Sequence, residues 1–248
     1  MEIVKSIIAW ILALLLLGIM FPLTCAIWLI VWPFDRERTV THWLLVYQAV
    51  VVVFMIPLWK IRIEGRKKAL KGRTYVCISN HQSILDIPLI NCLRFRFRWI
   101  SKIENMKVPV LGWYLRMAGY ITVNRGNEES KAEMLMKSYR SLLKGISIMI
   151  FPEGTRSVDG EIGFYRRGAF QLALQTGIPI LPVLIDGTAE ILPKHGLIFR
   201  GGHNVHIRVL DPVAPGDFDT DDPDKLAAAM NIRMKSELER LRSERIKK

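Results

Sequence analysis

His81 and Asp86 stand five residues apart in the stretch SNHQSILDIP, Ser79 to Pro88, between an apolar run ending at Ile78 and a proline. An imidazole titrates near pH ~6.5, so its neutral form is a natural base for a hydroxyl or a positioned water. A carboxylate on the second ring nitrogen would fix the tautomer and stabilise the imidazolium that forms. Spacing restricts how the two can meet. Five residues of helix turn through about 500° and leave the side chains roughly 140° apart; an odd spacing on a strand sends them to opposite faces. They can meet only across a change of structure, a strand ending near Asn80 and a helix beginning near Asp86. TYVCIS, Thr74 to Ser79, is short, β-branched and aromatic, and Pro88 suits the first turn of a helix. Asp86 is therefore expected at or near an N-cap, where the helix dipole favours a negative charge. HxxxxD is short and common, so on this motif alone a turn-capping pair and a catalytic pair are equal readings.

Two further loops bear on that choice. NRG, Asn124 to Gly126, and FPEGTRS, Phe151 to Ser157, each follow a strand-like run. Arginine's rigid fork suits phosphate oxygens, so Arg125 and Arg156 could form a two-point anion clamp. FPEGTRS adds a rigid Pro152, a Gly154 that permits close backbone approach, and hydrogen-bonding groups in Glu153, Thr155, Arg156 and Ser157. Lys102, in SKIENMKVPVLG, is a third candidate cation. His42, His195, His203 and His206 have no ligand pattern around them, so no metal is expected, and no cofactor. The sequence has no Gly-rich nucleotide loop and no G-x-S-x-G elbow. A base, its orienter, an anion clamp and a hydrophobic anchor suit direct acyl transfer to a hydroxyl of a phosphate-bearing amphiphile.

The elements that must position these residues alternate. Strands are predicted at TYVCIS, RWIS (98–101), YITVN (120–124), ISIMIF (146–151), IPILPVLI (178–185) and NVHIRVL (204–210). Helices are predicted at 87–92, 108–117, 128–144 and 168–176, with Gly145 and Gly177 just past the last two. A final helix is capped by Asp222, with Pro223 at its first position and one apolar stripe, Leu226, Met230, Met234, Leu238 and Leu241, for docking on the core. The alternation predicts an α/β domain with a mostly parallel, mixed sheet flanked by helices. Ligands in such sheets gather beyond the carboxyl ends of the strands, where all three loops fall.

Ahead of this domain, Ser6 to Phe34 carries no charged residue, and after DRER a second uncharged run extends from Thr39 to Trp59. A hydrocarbon core of about 30 Å needs about 20 apolar helical residues, so each run is long enough to cross. Pro22 and Pro33 could divide the first, and a hairpin lying within one leaflet is equally compatible. A cleaved signal peptide fits poorly, because the first run is long and a second follows. The division expected is residues 1–60 as a hydrophobic two-helix membrane-anchoring motif and 61–248 as the catalytic domain. Seven basic residues and one acidic lie between Lys60 and Arg73, which by the positive-inside bias puts the catalytic domain on the cytoplasmic side. The net charge of +12 fits anionic lipid head groups or an acidic partner. RFRFRW, Arg94 to Trp99, reads equally as rings dipping into an interface or as an edge strand or loop with a solvated basic face. The three cysteines, Cys25, Cys77 and Cys92, form no disulfide or metal pattern, as in a reducing compartment.

Taken in order, NHQSILD, GYITVNRG, FPEGTRS and IPILPV, spread over Tyr75 to Ile185, resemble the glycerolipid acyltransferases, specifically the PlsC-type 1-acyl-glycerol-3-phosphate acyltransferases. GYITVNR keeps Gly119 and Arg125 but has Thr122 where that family usually has an aromatic and Asn124 where an aspartate or lysine is common, a departure that bears on acceptor preference. The resemblance implies that His81 is the general base for the acceptor's 2-hydroxyl, that Asp86 orients it, and that the hydroxyl attacks an acyl thioester with no acyl-enzyme. It implies that Arg125, Glu153, Gly154 and Arg156 bind or position the glycerol-phosphate, with Lys102 nearby and Thr155 in the same substrate-binding loop. Lysophosphatidic acid would be the acceptor, acyl carrier protein or acyl-CoA the donor, and membrane lipids the surroundings. Competing readings are an acyltransferase for glycerol-3-phosphate or another lysophospholipid, and a non-catalytic membrane phospholipid-binding protein. A basic nucleic-acid binder is disfavoured by the two hydrophobic runs, and no nucleic acid is expected as a partner.

Overall fold

The computed structural model describes residues 2–56, 59–69 and 72–246. Its centre is a seven-stranded sheet in the order β1-β7-β6-β2-β5-β3-β4, where β1 is Trp59–Glu64, β2 Val76–Ser79, β3 Phe97–Lys102, β4 Ile121–Val123, β5 Ser147–Ile150, β6 Ile180–Asp186 and β7 His203–Val209. β6, β2, β5, β3 and β4 run parallel. β7 turns antiparallel onto β6, and β1 pairs parallel with β7. The mostly parallel mixed sheet expected from the sequence is present. β1 is not among the predicted strands: in sequence, Trp59, Ile61 and Ile63 alternating with Lys60 and Arg62 look like the end of an apolar run and a basic flank, but the three apolar residues pack on the core.

Period-two alternation divides the strands between two faces. Tyr75, Cys77, Phe97, Trp99, Met149 and Val183 face one layer, packed with α2 (Thr39–Met55) and α3 (Asp86–Asn91). Val76, Ile78, Ile148, Ile150 and Leu184 face the other. That second layer holds α5 (Glu128–Leu143), α6 (Gly168–Thr176) and α8 (Pro223–Ile246). The stripe Leu226, Met230, Met234, Leu238 and Leu241 is fully buried there, as its spacing predicted. RFRFRW divides: its first half, 94–96, is a loop with Arg94 exposed, as one of the two readings expected, but its second half is neither an edge strand nor a membrane-dipping segment. β3 is an interior strand, Phe97 and Trp99 are core residues, and Arg96 and Arg98 turn to Glu37 in the link before α2.

The two hydrophobic runs fold differently. α1 (Glu2–Val31) is long and apolar enough to cross a membrane by length and composition. It passes through Pro22 unbroken, and Pro33 lies just beyond its end. Large residues along it stay exposed, Leu14 at 64% and Ile19 at 71%. It nevertheless docks on the domain at several points: the Phe199 amide donates to Ser6 Oγ at 2.8 Å, Trp10 Nε1 donates to the Leu197 carbonyl at 2.8 Å, Ala9 is buried in the core, and Phe21 stacks on Trp113 with centroids 5.3 Å apart. α2 has only 17 residues, about 26 Å at 1.5 Å each, short of a hydrocarbon core. Val46, Val50 and Val53 are buried, so the second run is no free-standing span. Trp59, the last residue of that run, already belongs to β1.

Candidate active site

The parallel strands end together at one edge of the sheet, so the loops leaving β2, β3, β4, β5 and β6 share one crevice. β2 ends at Ser79, and Asn80 ties its exit to β6 through the Ile185 amide and carbonyl at 2.9 and 2.8 Å. His81 follows. Its Nδ1 donates to Asp86 Oδ2 at 2.8 Å across the change of structure that the spacing required. Asp86 is the first residue of α3, but its carboxylate does not cap that helix. It turns back to accept the Gln82 and Ser83 amides on Oδ2 at 2.7 and 2.9 Å and the Thr188 hydroxyl on Oδ1 at 2.6 Å. The carboxylate is wholly buried. With Nδ1 as donor, Nε2 is left with a lone pair, and no described protein group hydrogen-bonds it.

The loop after β5 holds His81 from the other side. Phe151 lies flat against the imidazole, centroids 3.9 Å apart and planes at 7°, and is itself stacked on Trp99. Glu153 accepts the His81 amide on Oε1 and the Gly163 amide on Oε2, each at 2.9 Å. Burial pushes its carboxyl above the ordinary range, and the two amides offset part of that. Both oxygens are thus engaged by backbone, which suits fastening the two loops together rather than reaching a substrate. Ser157 N donates to the His81 carbonyl at 2.7 Å. Gly154 has φ of +73°, and a Cβ there would meet Arg166 Nε at 2.9 Å, so glycine is what admits Arg166 beside this loop.

A cavity of about 900 Å³ opens at this edge. Its polar part is lined by His81, Lys102, Arg125, Gly154 and Arg166; its apolar part runs between α1, α2, α3 and α4 (Leu111–Met117), past Leu17, Met20, Leu45, Val52, Ile87 and Leu115. Arg156 and Thr155 do not line it. The anion clamp expected from Arg125 and Arg156 is offered instead by Arg125 and Arg166. No signal in FYRRGAF marked Arg166 beforehand, since its approach depends on the fold at Gly154. Burial, then the charge of Arg166, lowers the Arg125 pKa, with Glu104 opposing. Neither arginine forms an ion pair among the described residues, while Lys102 pairs with Glu104 at 3.0 Å. Two guanidiniums beside one cavity without ion pairs among the described residues, Arg125 half-buried and Arg166 exposed, are a place for an anion.

A protein-family model described as Acyltransferase matches residues 60–186, just over half of the chain. The chain belongs to the acyltransferase family. The matched acyltransferase segment runs from β1 to the end of β6 and so contains His81, Asp86, Arg125 and the FPEGTRS loop; Thr188, β7 and α8 lie beyond it. The chain is 33% identical over 206 residues to the chloroplastic 1-acyl-sn-glycerol-3-phosphate acyltransferase BAT2 of Brassica napus, covering 80% of this chain and 59% of that protein. It is 36% identical over 164 residues to the chloroplastic 1-acyl-sn-glycerol-3-phosphate acyltransferase LPAT1 of Arabidopsis thaliana, covering 65% of this chain and 46% of that one. The chain thus spans about half the length of these curated relatives. The crystal structure of the 1-acyl-sn-glycerophosphate (LPA) acyltransferase PlsC from Thermotoga maritima superposes with a TM-score of 0.77 at 25% identity, over 96% of this chain and 98% of that one.

Proposed function

We propose that the protein transfers an acyl chain from an acyl thioester to the 2-hydroxyl of 1-acyl-glycerol-3-phosphate, lysophosphatidic acid, giving phosphatidic acid. The observation that carries this is the unpartnered Nε2 of His81 facing the same cavity as Arg125 and Arg166, with an apolar chamber adjoining. The arginines bind the acceptor's phosphate and, with Lys102, set its hydroxyl near His81. Nε2 takes the hydroxyl proton as the oxygen attacks the thioester carbonyl, and Asp86 stabilises the imidazolium. The tetrahedral intermediate collapses with loss of the thiolate, which regains a proton from His81, so no acyl-enzyme forms. The chamber between α1, α2 and α4 takes acyl chain. Glu153 and Gly154 act by holding His81 and admitting Arg166.

The donor is acyl carrier protein or acyl-CoA, and the basic surface attracts either. The segment carrying α1 and α2 forms the membrane motif and the chain from β1 onward the catalytic domain, so the division falls before Trp59 and not after residue 60. α1 docks on the domain through Ser6, Ala9, Trp10 and Phe21 and lines the cavity with Leu17 and Met20, while Ile3, Leu14, Ile19, Leu29 and Ile30 stay exposed, which suits lying in one leaflet with the catalytic domain on the cytoplasmic side. The reading is tested by supplying lysophosphatidic acid and both thioester donors to wild type and His81→Ala. Wild type should form phosphatidic acid and the variant should not; an inactive wild type, or a fully active variant, overturns it.

A further inference from the structure

Thr188 sits behind the catalytic pair, more than a hundred positions along the chain from Asp86 and outside the segment matched by the family model. It is completely buried at the start of α7 (Thr188–Ile191), and its environment leaves it little freedom. Gly187 before it has φ of +95°, and a Cβ there would stand 2.2 Å from the Asn204 carbonyl oxygen. That glycine lets the chain turn directly out of β6 against β7. Thr188 is β-branched and stiff at χ1, so the turn also fixes where its hydroxyl points.

The oxygens of Asp86 are unequally supplied. Oδ2 accepts His81 Nδ1 and the amides of Gln82 and Ser83; Oδ1 accepts only the Thr188 hydroxyl among the described residues. A carboxylate's terminal torsion is broad and roughly two-fold. A buried carboxylate oxygen with no donor is costly, so loss of the hydroxyl would drive Asp86 to rotate and share its other donors. The oxygen facing Nδ1 would then no longer be held in line with it.

The turn is held in its own right from α8. Arg242 donates through Nε to Asp186 at 3.1 Å, through Nη2 to the Gly160 carbonyl at 2.9 Å and through Nη1 to Glu161 at 2.6 Å. The Gly160 carbonyl also receives Gln82 Nε2 at 2.8 Å, so one arginine braces both the residue next to His81 and the strand end leading to Thr188.

We propose that Thr188 is a positioning residue for the His81–Asp86 pair, its hydroxyl holding the Asp86 carboxylate so that Oδ2 stays on His81 Nδ1. It touches no reacting atom; its effect passes through Asp86, and Arg242 keeps it in place.

The inference rests on the acyltransferase reading, and the two fail differently: wild type without acylation of lysophosphatidic acid ends that reading, whereas the role of Thr188 is judged against an active wild type. The experiment measures kcat and KM for both substrates in full-length Thr188→Val and Thr188→Ser, with thermal melting of each. Thr188→Val, which keeps the shape and removes the donor, should lose about 10- to 100-fold in kcat with KM within twofold. Thr188→Ser, which keeps the hydroxyl, should stay within about threefold of wild type in kcat. Unchanged kcat in Thr188→Val overturns the proposal, as does equal loss in both variants, which would mark a packing role. Should Thr188→Val not fold, Thr188→Cys, a weak donor of similar size, takes its place with the same expectation and the same overturning outcomes.

Discussion

The β2 side of the crevice and its β4 side are built on different terms. On the β2 side, His81 is held through Nδ1, its amide and its carbonyl, and its ring lies on Phe151. Asp86 accepts four hydrogen bonds. On the β4 side, burial and the charge of Arg166 lower the Arg125 pKa, and neither arginine forms an ion pair among the described residues. A base must be aimed before the substrate arrives, so the fold supplies all its partners but the one to be deprotonated. An anion site gains nothing from internal partners, because a carboxylate in the clamp would compete with the ligand.

Substitutions on the two sides should therefore separate kcat from KM. His81→Ala should have the largest effect, a loss of about 10²- to 10⁴-fold in kcat with little change in KM for lysophosphatidic acid, read by steady-state acylation. Asp86→Asn follows with a smaller loss, again in kcat, because the Nδ1 proton loses its ionised acceptor. Arg166→Ala and Arg125→Ala should instead raise KM for the phosphate-bearing acceptor by about 10- to 100-fold each, the size of a hydrogen bond to a charged group. The wild-type KM should rise with salt, and that rise should flatten in the variants; a kcat-only effect at either arginine would dissolve the contrast between the sides.

Gly154→Ala probes the join between them. A left-handed φ costs a residue with a Cβ about 1–2 kcal/mol, and the added methyl would displace Arg166 from the clamp. The expected result is a moderate rise in KM together with a lowered melting temperature. Glu153 should give the smallest effect, chiefly on stability, with a minor loss of kcat through the His81 backbone that it holds. Burial raises its carboxyl pKa above the ordinary 4.5, so its contribution is present in full below that value and declines as pH rises through the raised one. Glu153→Gln should remove that part of the decline in melting temperature with pH; an unchanged slope would mean that Glu153 is not what titrates.

Much of this was legible in the residues. The α8 stripe, the strands that supply the crevice and the need for a break between His81 and Asp86 follow from periodicities of 3.6 and 2, which act over a few residues. Other features were hidden. β1 carries Lys60 and Arg62 on its exposed side, so an edge strand looked like the basic flank of a membrane run. RFRFRW alternated as a strand should, but its burial depended on β5 and β4 closing around it and on Glu37 meeting its arginines. The second hydrophobic run had membrane-like composition, yet α2 spends one face on the core, and composition does not distinguish lipid from protein as a cover.

By itself, the sequence determined that His81 and Asp86 could meet only at a strand-to-helix break, and that FPEGTRS and Arg125 follow strand-like runs of an α/β alternation. Those are matters of local geometry, written within a few residues of each site. Only the tertiary structure decided that Arg166 rather than Arg156 lines the cavity with Arg125, that Glu153 serves the backbone of His81, and that Thr188 completes Asp86. Each of these is a contact between chain segments joined by a fold-specific turn, at Gly154 or at Gly187, and a turn's partners are set by what packs against it.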